Sequence, residues 1–296
     1  MIYYFLLSLS ALAAASKALL CKALGVGTYS ERQTVLLHCR SLLVAACCSL
    51  LFVVGDIRGL LDISAFSLIL SVFFGLSMAI TQLFQAKAMG KGPASLVSLI
   101  YSCGLLIPIF YGLLFWGERV SYFQWIGVGL LFVVLLLMVE GKGKKTALIK
   151  WLPFAVVTML GSGANAVFQK THQYSAFSKE LPFFLVYALF FSAAFMGVGA
   201  LLIRQKRAVA VPPTKGRTAK SIGVPLCLGV CVCAMNFLNL TLSGKLSSVI
   251  LFPVCNIGSM LLTTLISAVI YKDKPTKRQA LAFLIGIGAI LMIGLL

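Results

Sequence analysis

Lys17 stands in A-S-K-A-L-L-C-K, deep inside an apolar run at 2–21. An ammonium there costs about 2.5–3.5 kcal/mol or more if it faces hydrocarbon. Such a lysine either meets an anionic group, a carboxylate or phosphate, or snorkels along its own helix towards Lys22. Aligned with G-A-N-A-V-F-Q-K, the stretch sets Asn165 against Lys17 and Lys170 against Lys22. Amides recur at helical spacing elsewhere: Gln82 and Gln85 beside Thr81, and Asn236 with Asn239. These groups either hydrogen-bond helix to helix or line a passage. Tyr101 and Asn256 share helices with Pro108 and Pro253, and each proline frees a backbone carbonyl for a solute or a neighbour. Together Lys17, Asn165, Gln82, Gln85, Tyr101, Asn236, Asn239 and Asn256 are the candidate substrate-binding residues. Arg40, near the start of the second apolar run, is a candidate gating or anchoring group that an anionic lipid or solute could meet.

The acids point the same way. All seven, Glu31, Asp56, Asp62, Glu118, Glu140, Glu180 and Asp273, fall in loops or at helix ends. A proton relay or cation site would place a carboxylate at mid-membrane, so a neutral, zwitterionic or anionic solute is expected. Glu118 and Asp273 each end an apolar run beside a base, Arg119 or Lys274, and are read as local salt bridges that could also act as gates. No nucleophile and base pair, Walker loop, dinucleotide fingerprint or zinc spacing occurs, and the chain has two histidines, so neither enzyme chemistry, a metal nor a cofactor is expected. Cys47, Cys48, Cys103, Cys227, Cys231, Cys233 and Cys255 read as small buried hydrophobes.

These groups need a membrane scaffold. The 296 residues are 60% hydrophobic and 11% charged, with a mean hydropathy of +1.04, against roughly a quarter charged in a soluble domain. The expectation is an all-α integral membrane protein with ten transmembrane helices, at 2–21, 35–54, 63–85, 93–115, 122–139, 151–169, 181–202, 222–243, 246–270 and 279–296. The net charge of +18 lies between apolar runs, where it sets topology rather than binding nucleic acid. Lys and Arg concentrate in the odd-numbered loops, which places those loops in the cytoplasm, both termini outside, and the chain in a cytoplasmic membrane. Membrane lipid and a small-molecule solute are the expected partners. A homodimer through the G-V-G and G-I-G helices stays open.

Asp273, Lys274 and Gln279 repeat Glu118, Arg119 and Gln124 at one constant spacing, on matching hydropathy. This internal duplication predicts two five-helix repeats, 1–141 and 142–296. Because five is odd, the second repeat would be inverted relative to the first, a transporter's architecture.

The stretch from Gly90 through L-I-P-I-F-Y-G-L-L-F-W-G-E-R-V-S-Y-F-Q-W-I-G resembles the end of the EamA domain of the drug/metabolite transporter superfamily. Its signature falls on Pro108, Gly117, Glu118, Gln124 and Gly127. The resemblance implies alternating access around a central cavity, with Glu118 and Gln124 as gating or structural positions rather than ligands; Pro108, Pro253 and Asp273 are read as gating or structural from the residues themselves. The second copy departs from it, with Lys272-Asp273 in place of Gly-Glu and Ala282 in place of a glycine. The expected function is therefore a secondary transporter that exports or exchanges a small polar metabolite such as an amino acid. Export of hydrophobic drugs is the alternative within transport, kept open by Phe73, Phe74, Phe84 and Trp116. A non-transporting lipid-handling protein is the alternative outside it.

Overall fold

The computed structural model describes residues 2–23, 31–91, 94–138, 148–203, 215–270 and 276–295. Every regular element among them is a helix: α1 (Ile2–Ala23), α2 (Glu31–Ser49), α3 (Arg58–Leu61), α4 (Ala65–Lys91), α5 (Ala94–Cys103) and α6 (Leu106–Phe115), followed by α7 (Tyr122–Met138), α8 (Leu148–Tyr174), α9 (Leu181–Leu202), α10 (Lys215–Ser243), α11 (Ser248–Ile270) and α12 (Lys277–Leu295), with two short 3-10 turns.

The chain is an all-α, multi-pass membrane protein, but the expectation of ten transmembrane helices in two five-helix inverted repeats is corrected. Among the described residues seven segments are long and apolar enough to cross a bilayer: Ile2–Cys21, Arg32–Phe52, Ala65–Met89, Trp151–Tyr174, Ser178–Leu202, Ile222–Ser243 and Ser248–Ile266. Three further apolar segments are shorter, Ile100–Phe115, Tyr122–Leu137 and Ala280–Ile293. At about 1.5 Å per residue, segments this short fall below the roughly 30 Å of a hydrocarbon core.

A break in the helical path lies at Pro108. It has no N–H to donate to Gly104, four residues back, and its ring crowds that carbonyl. The backbone there turns through three-residue bonds, Gly104 N to Tyr101 O at 3.1 Å and Ile107 N to Gly104 O at 3.1 Å. The apolar run from 94 to 115 is thus cut into α5 and α6. Pro253 leaves α11 whole, because it stands in the second turn, where few helical bonds precede it. Helices α8 and α10 begin before their apolar stretches, so Pro153 and Pro225 are also intrahelical, which hydropathy alone does not reveal.

Contacts join the helices into a ring. Helix α1 packs on α10 and α11, α10 on α2, α2 on α9, α9 on α4, α4 on α8, α8 on α5 and α6, and α6 on α11. Helices α7 and α12 pair with each other and lean on α11. Two apolar cores flank the interior. One draws Leu7, Ile109, Leu131, Phe252 and Ile293 from α1, α6, α7, α11 and α12. The other draws Leu42, Phe74, Phe184, Leu189 and Val232 from α2, α4, α9 and α10. Large apolar side chains such as Leu43, Phe73, Leu136, Leu201 and Leu284 remain exposed on the outside, as a lipid-facing surface requires. Cys233 and Cys255 are buried as expected, whereas Cys47 and Cys227 lie on this exposed surface.

Cross-helix pairs fix directions. Ser67, Ser77 and Phe84 of α4 meet His172, Gly161 and Phe154 of α8, so the two run antiparallel. Gly104, Ile107 and Trp116 meet Met159, Gly163 and Tyr174, so α5 and α6 run parallel to α8. Glu118 and the C-terminus of α8 therefore share one end of the ring, and Phe84 with Phe154 the other.

Close approach between α4 and α9 depends on Gly75, where an added Cβ would sit 2.9 Å from Ser192 N and 3.1 Å from Ala188 O. Backbone atoms cannot move aside as a side-chain tip can, so Gly75→Val is expected to destabilise by about 1–3 kcal/mol. Gly129→Ala, with open space around its Cβ, is expected to be silent. Thermal unfolding of both variants in detergent checks this, and a wild-type melting temperature for Gly75→Val would refute the close approach.

Candidate functional site

Inside the ring lies a cavity of about 130 Å³. Its wall carries Lys17 from α1, Gln82 and Gln85 from α4, Tyr101 from α5 and Asn165 from α8. Asn236 and Asn239 of α10 and Asn256 of α11 complete it on the other side. All eight candidate binding residues thus converge on one space, though they are drawn from six helices. Pro108 also lines it, together with Gly104, which lets α5 and α6 press against Ser162 of α8. Lys17 is half-buried in this wall and makes no ion pair or hydrogen bond among the described residues.

The amides divide into two groups by their bonding. Asn236 Oδ1 accepts from Gln169 Nε2 at 3.0 Å, and its Nδ2 donates to Val232 O at 2.8 Å. Asn239 Oδ1 accepts from Ser10 Oγ at 2.6 Å and from Cys255 Sγ at 3.4 Å. These two asparagines join α10 to α8, α1 and α11, so they act as interhelical bonds at the cavity wall. Thr81 is spent within its own helix, donating to Ser77 O of α4 at 2.7 Å. Asn165 differs, because its Oδ1 is buried with no hydrogen-bond partner. A buried carbonyl left so costs about 1–3 kcal/mol. Gln169 and Ser10 are not marked out by the sequence. Their place in the network follows from which helices become neighbours, which hydropathy does not encode.

Glu118 does not pair with Arg119, which is exposed. The chain turns back after α6 through Gly117 at φ 62°, a left-handed conformation suited to glycine, and Glu118 N bonds to Gly112 O at 3.0 Å. The carboxylate is thereby aimed inward. Its Oε1 pairs with Lys170 Nζ of α8, and its Oε2 accepts from Ser248 N at 2.8 Å, at the first residue of α11. Lys170 Nζ further donates to Ser248 Oγ at 2.9 Å and Leu246 O at 3.1 Å. It also lies 5.4 and 5.6 Å from the ring centres of Tyr174 and Trp116. The pair is nearly sealed, with side chains 0% and 6% exposed.

A second polar cluster closes the same end. Glu180 accepts from Ser64 Oγ at 2.6 Å and Ser64 N at 3.2 Å, and Ser64 Oγ meets Ser67 Oγ at 3.1 Å. Ser67 in turn bonds to His172 Nε2 at 3.2 Å. The opposite end, nearer Lys17 and Gln85, holds ring contacts instead: Phe84 against Phe154 at 5.7 Å, and Lys91 over Phe154 at 4.3 Å.

The remaining candidates are placed as follows. Gln124 builds a capping box at the start of α7, its Oε1 accepting from Ser121 N at 3.1 Å while Ser121 Oγ accepts from Gln124 N at 3.2 Å. Its Nε2 also donates to Ile293 O of α12 at 3.4 Å, so its place is structural. Arg40 is exposed on α2, away from the cavity. Pro253 is buried in α11. Asp273, with Lys274, lies outside the described residues. Among the described residues no group of three or more His, Cys, Asp or Glu could hold a metal ion.

Removing one partner of the buried pair leaves the other charge uncompensated. Lys170→Met is expected to destabilise by about 3–5 kcal/mol, and the double variant Glu118→Gln with Lys170→Met by much less. Thermal unfolding of the single and double variants reads the difference, and equal losses in both would show that the pair is not coupled.

No curated protein matches the chain in sequence. A solved crystal structure aligns with it over 98% of this chain and 96% of its own, at a TM-score of 0.78 and 15% identity, which speaks for the fold alone. Residues 1–140 match the EamA-like transporter family, so the chain carries an EamA-like domain that ends just beyond α7 and holds Lys17, Gln82, Gln85, Tyr101 and Glu118.

Proposed function

We propose that the protein is a secondary transporter that moves a small polar metabolite, such as an amino acid, by alternating access. One observation carries this reading: polar side chains from six helices line one cavity in a membrane protein with an EamA-like transporter domain. Residues 142–296, which hold Asn165, Asn236, Asn239 and Asn256, act as a second, diverged EamA-like unit. The wall is mixed, with Lys17 and the amides beside Phe74, Tyr101 and Phe252; the convergence of polar groups favours a metabolite, and the aromatic part is what export of hydrophobic drugs would use. Of the aromatics that keep the drug alternative open, Phe73 faces outward and Trp116 is taken up beside Lys170, whereas Phe74 stands in the cavity wall.

The structure corresponds to a state closed at the Glu118 end. Opening there requires α6, α8 and α11 to separate, and all three meet at the Glu118 carboxylate. The ion pair with Lys170 is the gate, and it breaks and reforms in each cycle. Basic loops favour the opposite end as the cytoplasmic one, with the protein in a cytoplasmic membrane. With no ATP-binding motif in the sequence, a gradient of solute or ions drives the cycle.

Counterflow of labelled amino acids, sugar phosphates and organic cations in proteoliposomes tests the function. One small polar solute is expected to exchange, with a loss of about tenfold or more in Lys17→Ala and Asn165→Ala. Glu118→Lys alone is expected to abolish exchange, and pairing it with Lys170→Glu to restore part of it. Uptake restricted to lipophilic cations, indifferent to Lys17→Ala, would replace the metabolite reading with drug export. Unchanged exchange in every charge swap would remove the gate.

A further inference from the structure

The cavity has an unbalanced set of charges and hydrogen-bonding atoms, and this limits what can occupy it. Lys17 contributes an ammonium, while among the described residues no carboxylate lines the wall. The described acids are engaged elsewhere, Glu118 with Lys170, Glu180 with Ser64, and Asp56 with Gly59 N at 3.1 Å, or stand in the exposed turn at Asp62. Asn165 adds an acceptor with the opposite need: a buried Oδ1 that no donor reaches. One ligand can satisfy both groups if it brings an anion and a donor together.

Volume bounds the size of the occupant. A cavity of about 130 Å³ is close to one of about 150 Å³ that encloses benzene, so it suits a solute of roughly six non-hydrogen atoms. A single negative charge neutralises Lys17. A second negative charge would lie buried without a partner, and an organic cation would add like charge beside Lys17.

We propose that the cavity binds a small monocarboxylate that also carries a hydrogen-bond donor, its carboxylate on Lys17 Nζ and its donor on Asn165 Oδ1. Neutral amino acids and the matching hydroxy acids share this chemistry. The inference rests on the transporter reading of the same cavity and narrows its substrate class. Lys17 thereby acts as a ligand rather than a snorkelling anchor, and Asn165 as its counterpart.

Ligand-induced thermal stabilisation of the purified full-length protein in detergent tests binding apart from turnover. The probes are alanine, serine and leucine, then lactate, alaninamide, ethylamine and succinate. At least one neutral amino acid or lactate is expected to raise the melting temperature, and alaninamide, ethylamine and succinate are expected to leave it unchanged. Stabilisation by lactate with none by the amino acids would assign the donor to a hydroxyl, and the reverse to an ammonium. Lys17→Gln is expected to weaken carboxylate binding roughly 10- to 100-fold, and Lys17→Arg to retain it. Asn165→Leu is expected to lower affinity for the same probe while keeping its preference over alaninamide. If Lys17→Gln does not fold, the comparison of alanine with alaninamide on the wild type and on Lys17→Arg decides the matter. Equal stabilisation by the amide, the amine or succinate would overturn the proposal, as would undiminished binding to Lys17→Gln or no response to any probe. Counterflow of another solute in that case leaves the transporter reading standing. Binding of the monocarboxylate without exchange would instead sustain this site and remove the transporter.

Discussion

A carboxylate shut away from water must find hydrogen-bond donors, and Glu118 finds them on two helices that are far apart in the chain. Its two oxygens divide between Lys170 at the end of α8 and the first backbone amide of α11. In this setting the loop after α6, the end of α8 and the start of α11 cannot separate without stranding a charge. The geometry begins locally. A left-handed Gly117 closes α6, reverses the chain and points Glu118 inward. Arg119, the next residue, stays in solvent. The closed end of the cavity depends on this one carboxylate more than on any apolar contact, because packing between helices in lipid gains no hydrophobic driving force.

The polar interior is organised by the same economy of partners. Where two helices can satisfy each other, their amides do so: Gln169 with Asn236, and Ser10 with Asn239. These bonds hold α10 to α8 and α1 on either side of the cavity. Where no partner is provided among the described residues, as at Lys17 and Asn165 Oδ1, the unfilled capacity is what the proposed solute would take up. Interhelical bonding and passage lining are therefore not competing descriptions of one set of residues. They belong to different residues of the same wall, separated by which of them have partners.

Pro108 shows how a single residue shapes both the fold and the site. By denying Gly104 a helical bond it divides an apolar stretch long enough to span a membrane into two short helices. The break lies at the cavity, with Gly104 and Pro108 both in its wall. A count of ten spans assumes helical continuity across this proline, where α5 and α6 are separate helices. Pro253 occupies a similar place in the sequence but stands early in its helix, where it leaves the helix unbroken.

Hydropathy alone determined that the chain is helical and embedded in a membrane, since only continuous helices or closed barrels satisfy the backbone in lipid. The cost of burying polar groups marked Lys17, Asn165, Gln82, Gln85, Tyr101, Asn236, Asn239 and Asn256 as residues in need of an interior, and the helices enclose one where all eight meet. The tertiary structure alone decided the partners. Glu118 chose Lys170 over its neighbour Arg119, His172 joined Ser67, Glu180 joined Ser64, and Asn165 was left with an unanswered acceptor. A sequence states how costly a buried polar group will be. Which group relieves that cost depends on the distances between helices, and those exist only once the helices have packed.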